Sequence, residues 1–576
     1  MVFIIGHPRP FRWSEVKHIT SYEDMKSTAY GSLVETFGHV FEWDEDCVPA
    51  ELCQRWRETG DPVCDDALRE VFASPSASVG QDLLDAVQDY AEATSREEAP
   101  ATHAFLDEVL HNPPEGLSAT DDEVAVARQF FIDDSVQIIQ ALLHYSLAGG
   151  LARFVRYPSA LLSILIVVSL QSPRIVRTLG AVSYLVPHTK KTGSELPLSL
   201  MEAVSQITKE STDRTFMRLV ETMQFILDVM GCTNPTPSSD DSSDNHLASL
   251  LPEGEGWRSS VRVRLLHGIA RWRVKARWER EGRTDVLDSV PLSQEEVAAT
   301  LAAFSTIPIW CLQRLHLPPS PDKASAYLAL WRHVGYYMGV SPSILLRYFT
   351  ATSAADKFTA TAALNLFFED IPELPANAPS HSAIKGPTIP ILVAVSNRPP
   401  LHTSLEYNIA LTTHLVGTRL ARRLGLPPTR LSMRLKMHAF LLVQRIPHYF
   451  AAWYPRKAWL EKRRAVLAEG MMRSVRWNMG LRRSTFRPRT AVHDTDVSGA
   501  AERAVDISAG GELAPGVVEA EAVQRDPVRA QVLTRQWKEV LYEMAGVSIA
   551  VGALACVALY LGAKCTLTAA SILLSN

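Results

Sequence analysis

Apolar residues recur at intervals of three and four along most of the chain, which is the spacing of an amphipathic helix. The pattern is clear in ETMQFILDVM (221–230), in FFIDDSVQIIQALLHYSLAGGLA (130–152) and from Ala324 to Val340. Alternating strand patterns bounded by Asn-Gly or Asp-Gly turns are nearly absent. The pattern therefore predicts an all-α fold, and we detect no internal repeat.

Two longer uncharged runs predict different environments. SALLSILIVVSL (159–170) is too short to cross a bilayer, which favours a buried helix lining the core or an apolar pocket. Met544–Ala563 has twenty uncharged residues between QWKEVLYE and Lys564, enough to cross about 30 Å of hydrocarbon. We interpret it as a C-terminal transmembrane anchor, with a buried core helix as the alternative. Such an anchor would leave residues 1–540 on the cytosolic side.

Segments dense in Pro, Ser and Asp predict loops. They are HNPPEGLSATDD (111–122), NPTPSSDDSSDN (234–245) and IPELPANAPSHSAIKGP (371–387). Thr490–Arg529 has no apolar stripe and contains AGGELAPG, which is typical of a flexible tether. The predicted organisation is an N-terminal segment (1–40), a single large helical domain (41–488), a flexible linker (489–535) and a transmembrane helix (544–563).

The charge is small overall but unevenly distributed. A net charge of −5 argues against a dedicated nucleic-acid binder, and no nucleic-acid partner is expected. From Arg419 to Arg489, however, about eighteen Lys and Arg face two acidic residues, Glu461 and Glu469. This basic 419–489 stretch favours a membrane surface as its neighbour, and a solvated basic face is the alternative. Its tryptophans would suit a membrane interface or, in a rival RNA-binding interpretation, base stacking.

Several classes of chemistry lack their motifs. The seven cysteines form no C-x-x-C pair, so neither a disulfide framework nor a thiolate zinc site is indicated, and a reducing compartment fits. The N-terminal MVFIIGHPRPFRW has too short an apolar run for a secretory signal. Phosphate-binding glycine loops, the G-x-S-x-G elbow and H-E-x-x-H are absent.

One histidine falls on the apolar face of a predicted helix over 257–278. Val263, His267, Ala270 and Val274 share that face, with Leu266 beside them. An inward imidazole is a neutral ligand for iron, but a core histidine satisfied by hydrogen bonds is the alternative. Arginines border this face and suit the carboxylates of a cofactor: Arg262, Arg264, Arg271 and Arg273.

A second helix, DRTFMRLVETMQFILDVMG (213–231), places Arg218 and Thr222 on one face and is expected to point Gln224 outward. Its R-x-x-x-T, together with VRVRLLHGIAR (261–271) and WRHVGYYMGV (331–340), resembles the latex-clearing-protein family of haem oxygenases. That family includes rubber oxygenase and the fungal membrane-bound oxygenase that cleaves the farnesyl chain in mycophenolic acid biosynthesis. Weaker similarities are GDPVCDDAL (60–68) and FLDEV (105–109), so the resemblance spans roughly residues 40–485.

The resemblance implies a globin-like helical core that holds one b-type haem. His267 would then be the proximal iron ligand, Arg218 and Thr222 would belong to the polar set of the pocket, and Arg264 would contact the haem. The implied reaction uses O₂ to cleave or oxidise a carbon–carbon double bond of an apolar, isoprenoid-like or lipid substrate. Rubber oxygenases carry lysine before the threonine, where this chain has Glu221, so distal lysine ligation is not expected.

Some points stay open at the level of sequence. The base for an allylic proton is either Glu221 or Glu202. The expected location is an intracellular membrane, the endoplasmic reticulum first, with the catalytic domain in the cytosol. The alternative function is a non-catalytic, membrane-anchored helical protein that binds haem or lipid. Substrate, products and oligomeric state are not indicated.

Overall fold

The computed structural model describes most of the chain. The described residues are 2–6, 8–19, 22–36, 38–147, 204, 207, 209–232, 246–280, 290–368, 388–398, 402–424, 426–480, 483–488 and 520–575. The apolar segment 159–170, Glu202, the loops 234–245 and 371–387, and the tether up to residue 519 lie outside them, so the predictions made there stay predictions.

Helices dominate the described residues, as the periodicity predicted. They are α1 (Tyr22–Lys26), α2 (Ala50–Arg57), α3 (Pro62–Val71), α4 (Leu83–Ala93), α5 (Pro100–Val109), α6 (Asp121–Asp133), α7 (Ser135–Ala141), α8 (Lys209–Val229), α9 (Glu255–Arg280), α10 (Gln294–Arg314), α11 (Pro321–Tyr337), α12 (Pro342–Tyr348), α13 (Thr352–Phe368), α14 (Thr388–Val395), α15 (Leu405–Val416), α16 (Thr418–Arg423), α17 (Leu431–Trp453), α18 (Lys457–Asn478) and α19 (Ala520–Ser575). The all-α class is confirmed.

A small sheet near the N-terminus was not predicted. Its strands are β1 (Phe3–Ile4), β2 (Lys17–His18), β3 (Leu33–Thr36) and β4 (His39–Glu42), in the order β1-β4-β3-β2. Only β3 and β4 are antiparallel, with Leu33 opposite Glu42. Strands of two to four residues are too short to show an alternating pattern, which explains why the sequence did not reveal them.

Local sequence sets the starts of several helices. Thr120 and Glu123 form a reciprocal capping box at the start of α6, and at the start of α10 the carboxylate of Glu296 accepts from the backbone N–H of Ser293 at 3.3 Å. Asp61 caps α3, with Pro62 in the first helical position. The predicted loop 111–122 accordingly ends where α6 begins.

The helix α10 lies at the centre of the packing. An 18-residue window of this helix is apolar enough to cross a membrane, yet the whole window is buried inside the protein. Beside it, aromatic rings of α8, α10 and α11 pack together: the ring centroids of Phe225, Phe304 and Tyr327 lie 5.1–6.2 Å from that of Trp331. The helices α10 and α19 thus each contain a window apolar enough to cross a membrane, and the two windows differ in burial.

The chain divides into two compact units. The first comprises Met1–Ala439 and Met472–Gly516, and the second comprises Phe440–Met471 and Val517–Asn576. Within the second unit, Phe450, Trp459 and Val540 form a buried cluster. This division differs from the predicted boundaries, because residues 440–471 group with the C-terminal helix.

The predicted linker 489–535 needs a correction. Helix α19 begins at Ala520, so its first sixteen residues lie inside the segment expected to be flexible. Arg529 is held there by the carboxylate of Glu469, at 2.5 and 2.9 Å. A helix stabilised by side chains from elsewhere in the chain needs no apolar stripe of its own, which is why the sequence pattern missed it.

Candidate functional site

His267 lies in the middle of α9 and points inward, as predicted. Its predicted companions Val263, Ala270, Val274 and Leu266 are all buried, and His267 itself is 1% exposed. No residue in the described part of the chain hydrogen-bonds either ring nitrogen. Burial, reinforced by the charge of Arg271, lowers the pKa of His267 to about 3. The imidazole is therefore neutral at physiological pH, with a lone pair to offer.

Another buried histidine shows what a structurally satisfied imidazole looks like here. Nδ1 of His333 accepts a hydrogen bond from the backbone N–H of Ala119 at 3.2 Å. Nε2 of His333 lies 3.1 Å from the carbonyl of Leu250 and donates to it. An unpaired buried polar group costs about 1–3 kcal/mol, and His267, unlike His333, has no hydrogen bond among the described residues that would offset this cost.

Buried arginines of α9 bind carboxylates of α3 and α5. Arg264 donates to both oxygens of Asp61, at 2.7 and 2.9 Å, and to Glu108 at 2.8 Å. Arg271 donates to Asp65 at 2.8 Å. We call these five side chains the arginine–carboxylate network.

The charges in the network stabilise one another. Burial alone would raise the pKa of Asp61, but the neighbouring charge of Arg264 and its hydrogen bond, with Arg271 behind, lower it below its usual value. Burial likewise opposes the charge of Arg264, yet Asp61 and Glu108 raise its pKa. The network therefore stays ionised and fixes α9 against α3 one helical turn on either side of His267.

The separate motifs of the sequence meet at this network. GDPVCDDAL supplies Asp61 and Asp65, and FLDEV supplies Glu108. WRHVGYYMGV supplies Gly339, whose φ is +80° and where an added Cβ would lie 2.4 Å from Oδ2 of Asp61 and 2.7 Å from Nε of Arg264. Only glycine fits there. The segments with the weaker family similarity, 60–68 and 105–109, therefore contact α9 directly through their carboxylates.

The network changes the interpretation of Arg264. The sequence suggested that arginines bordering His267 would meet cofactor carboxylates, but Arg264 is 2% exposed and binds carboxylates of this chain. Arg262 is likewise paired with Asp82 at 2.7 Å. Because the guanidinium of Arg264 is already bound to Asp61 and Glu108, we do not propose Arg264 as a cofactor contact.

Arg218 and Glu221 form a buried ion pair on α8. Nη1 of Arg218 lies 2.5 Å from Oε2 of Glu221, and the two side chains are 4% and 9% exposed. The hydroxyl of Thr222 donates to the carbonyl of Arg218 at 3.1 Å. Because that bond uses its hydrogen, Thr222 can only accept from another group while it persists.

Gln224 does not point outward as expected. It is 2% exposed, and its side-chain amide forms two hydrogen bonds with the backbone of Ser484, at 2.7 and 2.9 Å. The Ser484 hydroxyl lies 3.4 Å from Oε1 of Glu221. The irregular segment 483–488, which we call the strap, therefore contacts the α8 face that carries the Arg218–Glu221 pair.

The strap also joins α8 to α9. Arg483 contacts Asp228 of α8 at 2.9 Å and Glu255 of α9 at 2.5 Å. Asp228 accepts a further hydrogen bond from Ser259 of α9 at 2.6 Å. Burial raises the pKa of Asp228 to about 6, although Arg483 opposes the shift. Nothing in the sequence marks these contacts, because they join an irregular segment to residues about 250 positions earlier.

A comparison with known families matches a region that includes both α8 and α9. Residues 195–446 match the family model described as "ER-bound oxygenase mpaB/B'/Rubber oxygenase, catalytic domain". This part of the chain resembles an oxygenase catalytic domain. The family resemblance inferred from the motifs is thereby confirmed over these residues, which are fewer than half of the chain.

The oxygenase match includes Arg218, Glu221, Thr222 and His267, whereas the network carboxylates and the strap lie outside it. A solved structure, "Structure of Latex Clearing Protein LCP in the closed state", has 18% identity and a TM-score of 0.33, covering 69% of this chain and 94% of that chain. No curated protein matches this chain.

Proposed function

We propose that the chain is a haem-dependent oxygenase that uses O₂ to cleave or oxidise a carbon–carbon double bond of an apolar, isoprenoid-like or lipid substrate. The observation that supports this most is His267. It is a neutral, buried imidazole whose two nitrogens have no partner among the described residues, on a helix within the oxygenase match. A haem would supply the iron centre that activates O₂.

The residues present suit a b-type haem, whose iron the imidazole of His267 would ligate. The arginine–carboxylate network holds α9 rigidly on both sides of that histidine, which keeps the ring orientation fixed. The face around His267 is apolar and buried, so water is excluded from it. A dry, preorganised setting suits O₂ chemistry on an apolar substrate.

The polar groups of α8 have narrower roles in this proposal. Arg218 and Glu221 form one buried ionic unit, and Thr222 supplies an oxygen that can accept a hydrogen bond. The base for an allylic proton is Glu221 or Glu202, the latter outside the described residues. A base at Glu221 would have to act while paired with Arg218.

The expected setting is an intracellular membrane, with the endoplasmic reticulum first. Helix α19 contains a window long and apolar enough to cross a bilayer, and none of that window is buried in the protein. The family description names ER-bound oxygenases, which supports the same location. The catalytic domain would face the cytosol.

The test is to purify the full-length chain in detergent and measure haem per protein with the absorption spectrum. We expect about one b-type haem per chain and loss of most of it in His267→Ala, because the axial nitrogen is removed. The matched control is His333→Gln, which replaces another buried histidine by a side chain that still donates and accepts.

Three results would count against the assignment. Full haem content with an unchanged Soret band in His267→Ala would mean that His267 is not the ligand. Equal haem loss in His333→Gln would mean that the loss reflects unfolding. Haem binding without O₂ consumption in the presence of unsaturated isoprenoids and lipids would favour the non-catalytic haem-binding alternative.

A further inference from the structure

Helix α17 exposes a continuous line of apolar side chains. In its second half, Leu442, Ile446, Tyr449 and Trp453 follow one another at spacings of four, three and four, within an arc of about 60° at 3.6 residues per turn. Each is about half exposed, from 46% to 58%. We call these four residues the apolar stripe.

The same spacing continues into the first turns of α17. Leu431 and Leu435, at 69% and 62%, are the most exposed leucines of the helix. Single exposed apolar residues need no explanation, but an ordered row of them marks a surface that meets an apolar partner.

The charges around the stripe identify the partner. From Leu431 to Trp453 the helix contains no Asp or Glu, and its charged residues are Arg434, Lys436 and Arg445. On a helical projection, Arg434 and Arg445 lie about 60–80° to one side of the stripe and Lys436 lies on the other. Long basic side chains flanking an apolar face reach the phosphates above it, which is the arrangement of a helix lying in a membrane interface.

The C-terminal end of α17 packs where α19 becomes apolar. Phe450 lies in a buried cluster with Trp459 and Val540, against which Met544 and Val547 also pack. The indole of Trp459 donates to the carbonyl of Val540 at 3.1 Å.

Polar contacts join the residues that follow α17 to the same turn of α19. The hydroxyl of Tyr454 donates to Glu543 at 2.6 Å, and Arg456 contacts the same carboxylate at 2.6 Å. Glu543 is the last charged residue before the uncharged run. Aromatic rings beside the first turn of an apolar span lie where a bilayer interface places Trp and Tyr.

From these observations we propose that α17 lies in the headgroup region of a bilayer, with the apolar stripe toward the acyl chains and Arg434, Lys436 and Arg445 on anionic headgroups. The occupant of this surface is lipid. The inference does not depend on haem or on oxygenase activity.

The test uses the full-length chain in vesicles of phosphatidylcholine with a minor fraction of phosphatidylserine. Cys556 and Cys565, both exposed, and Cys232, partly exposed, are changed to Ser so that one introduced cysteine can be labelled with an environment-sensitive fluorophore. The probe position is Ile446→Cys, and the control is Glu92→Cys, an exposed position on α4. Lipids carrying a nitroxide near the headgroup or near the methyl end of the chain serve as quenchers.

We expect the headgroup-proximal nitroxide to quench the label at 446 several-fold more than the label at 92, and more than the deep nitroxide does. Replacing Arg434, Lys436 and Arg445 by Gln should reduce this quenching in anionic vesicles and change it little in pure phosphatidylcholine. Quenching at 446 no greater than at 92 would overturn the proposal. So would energy transfer between labels at 446 on different chains without lipid quenching, which would show a second copy on the stripe.

Discussion

At the scale of single residues, burial decides what each polar side chain can do. His267 and His333 are both buried, but only His333 has hydrogen-bond partners at both nitrogens among the described residues. Arg264 and Arg218 are equally buried, and both are paired with carboxylates. An imidazole can remain neutral when buried, whereas a guanidinium cannot, so the arginines need ionic partners.

The Arg218–Glu221 pair gives a test at this scale. Arg218→Met should lower the free energy of unfolding by about 3–5 kcal/mol, because it leaves a buried carboxylate without its counter-charge. The double variant Arg218→Met/Glu221→Gln should lose less than the sum of the single changes. Denaturant unfolding of the four proteins measures this coupling.

Arg96→Met is the control for that cycle, because the Arg96–Asp107 pair is 67% and 47% exposed. Breaking an exposed pair should cost much less than breaking the buried pair, because water screens both charges. Similar losses in Arg218→Met and Arg96→Met would show that the α8 pair is not effectively buried in solution.

A substitution at Gly339 tests how closely the backbone packs against Asp61 and Arg264 of the arginine–carboxylate network. Gly339→Ala should destabilise by about 1–3 kcal/mol through the contact with Asp61 and Arg264, added to about 1–2 kcal/mol of backbone strain at positive φ. Gly480→Ala isolates the strain, because Gly480 has φ +65° and no atom near its Cβ position. If thermal or denaturant unfolding gives equal losses for both variants, the close packing over Arg264 is absent.

At the scale of elements, the residues at which helices begin can be predicted from local sequence, whereas the faces that helices bury depend on long-range packing. The hydrogen bonds that begin α6 and α10 can be predicted from the sequence, because both partners lie within four residues of each other. The sequence does not show in the same way which faces of α8 are buried. That helix packs against α9, α14 and the strap, so even Gln224, on its polar side, is buried.

The start of α10 should give the protein a pH dependence. Burial, and then the charge of Glu295, raises the pKa of Glu296 from 4.5 to about 8. Between those values the folded state holds a proton that the unfolded state has released. The free energy of unfolding should therefore fall as pH rises through this window, by up to about 1.4 kcal/mol per pH unit.

Glu296→Gln should remove that slope while keeping the hydrogen bond from the Ser293 N–H, since the amide oxygen of glutamine can accept it. The measurement is the free energy of unfolding of parent and variant at several pH values from 5 to 8. Parallel curves would mean that Glu296 ionises normally in the folded protein.

At the scale of the whole molecule, two helices that each contain an apolar window long enough to cross a membrane have opposite environments. The window in α10 is fully buried, and the window in α19 is not buried at all. Placing arginine in a membrane-spanning helix costs about 2.5–3.5 kcal/mol per residue near its centre. We therefore expect Val551→Arg/Val557→Arg to lose resistance to carbonate extraction.

The control for this prediction is Val528→Arg/Val532→Arg, at exposed positions of α19 before the uncharged run. It should remain in the membrane pellet like the parent protein. Release of the parent by carbonate alone, or retention of the Val551/Val557 variant, would show that the run does not cross the bilayer.

The sequence by itself determined the helical class, the inward direction of His267 and the uncharged C-terminal run. Each depends on the spacing or character of neighbouring residues, and local spacing fixes which side of a helix is apolar. The tertiary structure decided what the arginines bind. Arg264 binds Asp61 and Glu108, which precede it by about 200 and 150 residues. The sequence around Arg264 therefore could not distinguish an arginine that binds a cofactor from one that binds carboxylates of this chain.

The strap and the burial of Gln224 were decided in the same way. Ser484 reaches α8 across 260 residues through backbone hydrogen bonds, which almost any residue at that position could form. Such bonds leave no mark on side-chain periodicity, because they do not select a residue type. Local pattern told us that α8 and α9 are helices, and only long-range packing brought them, the network and the strap together.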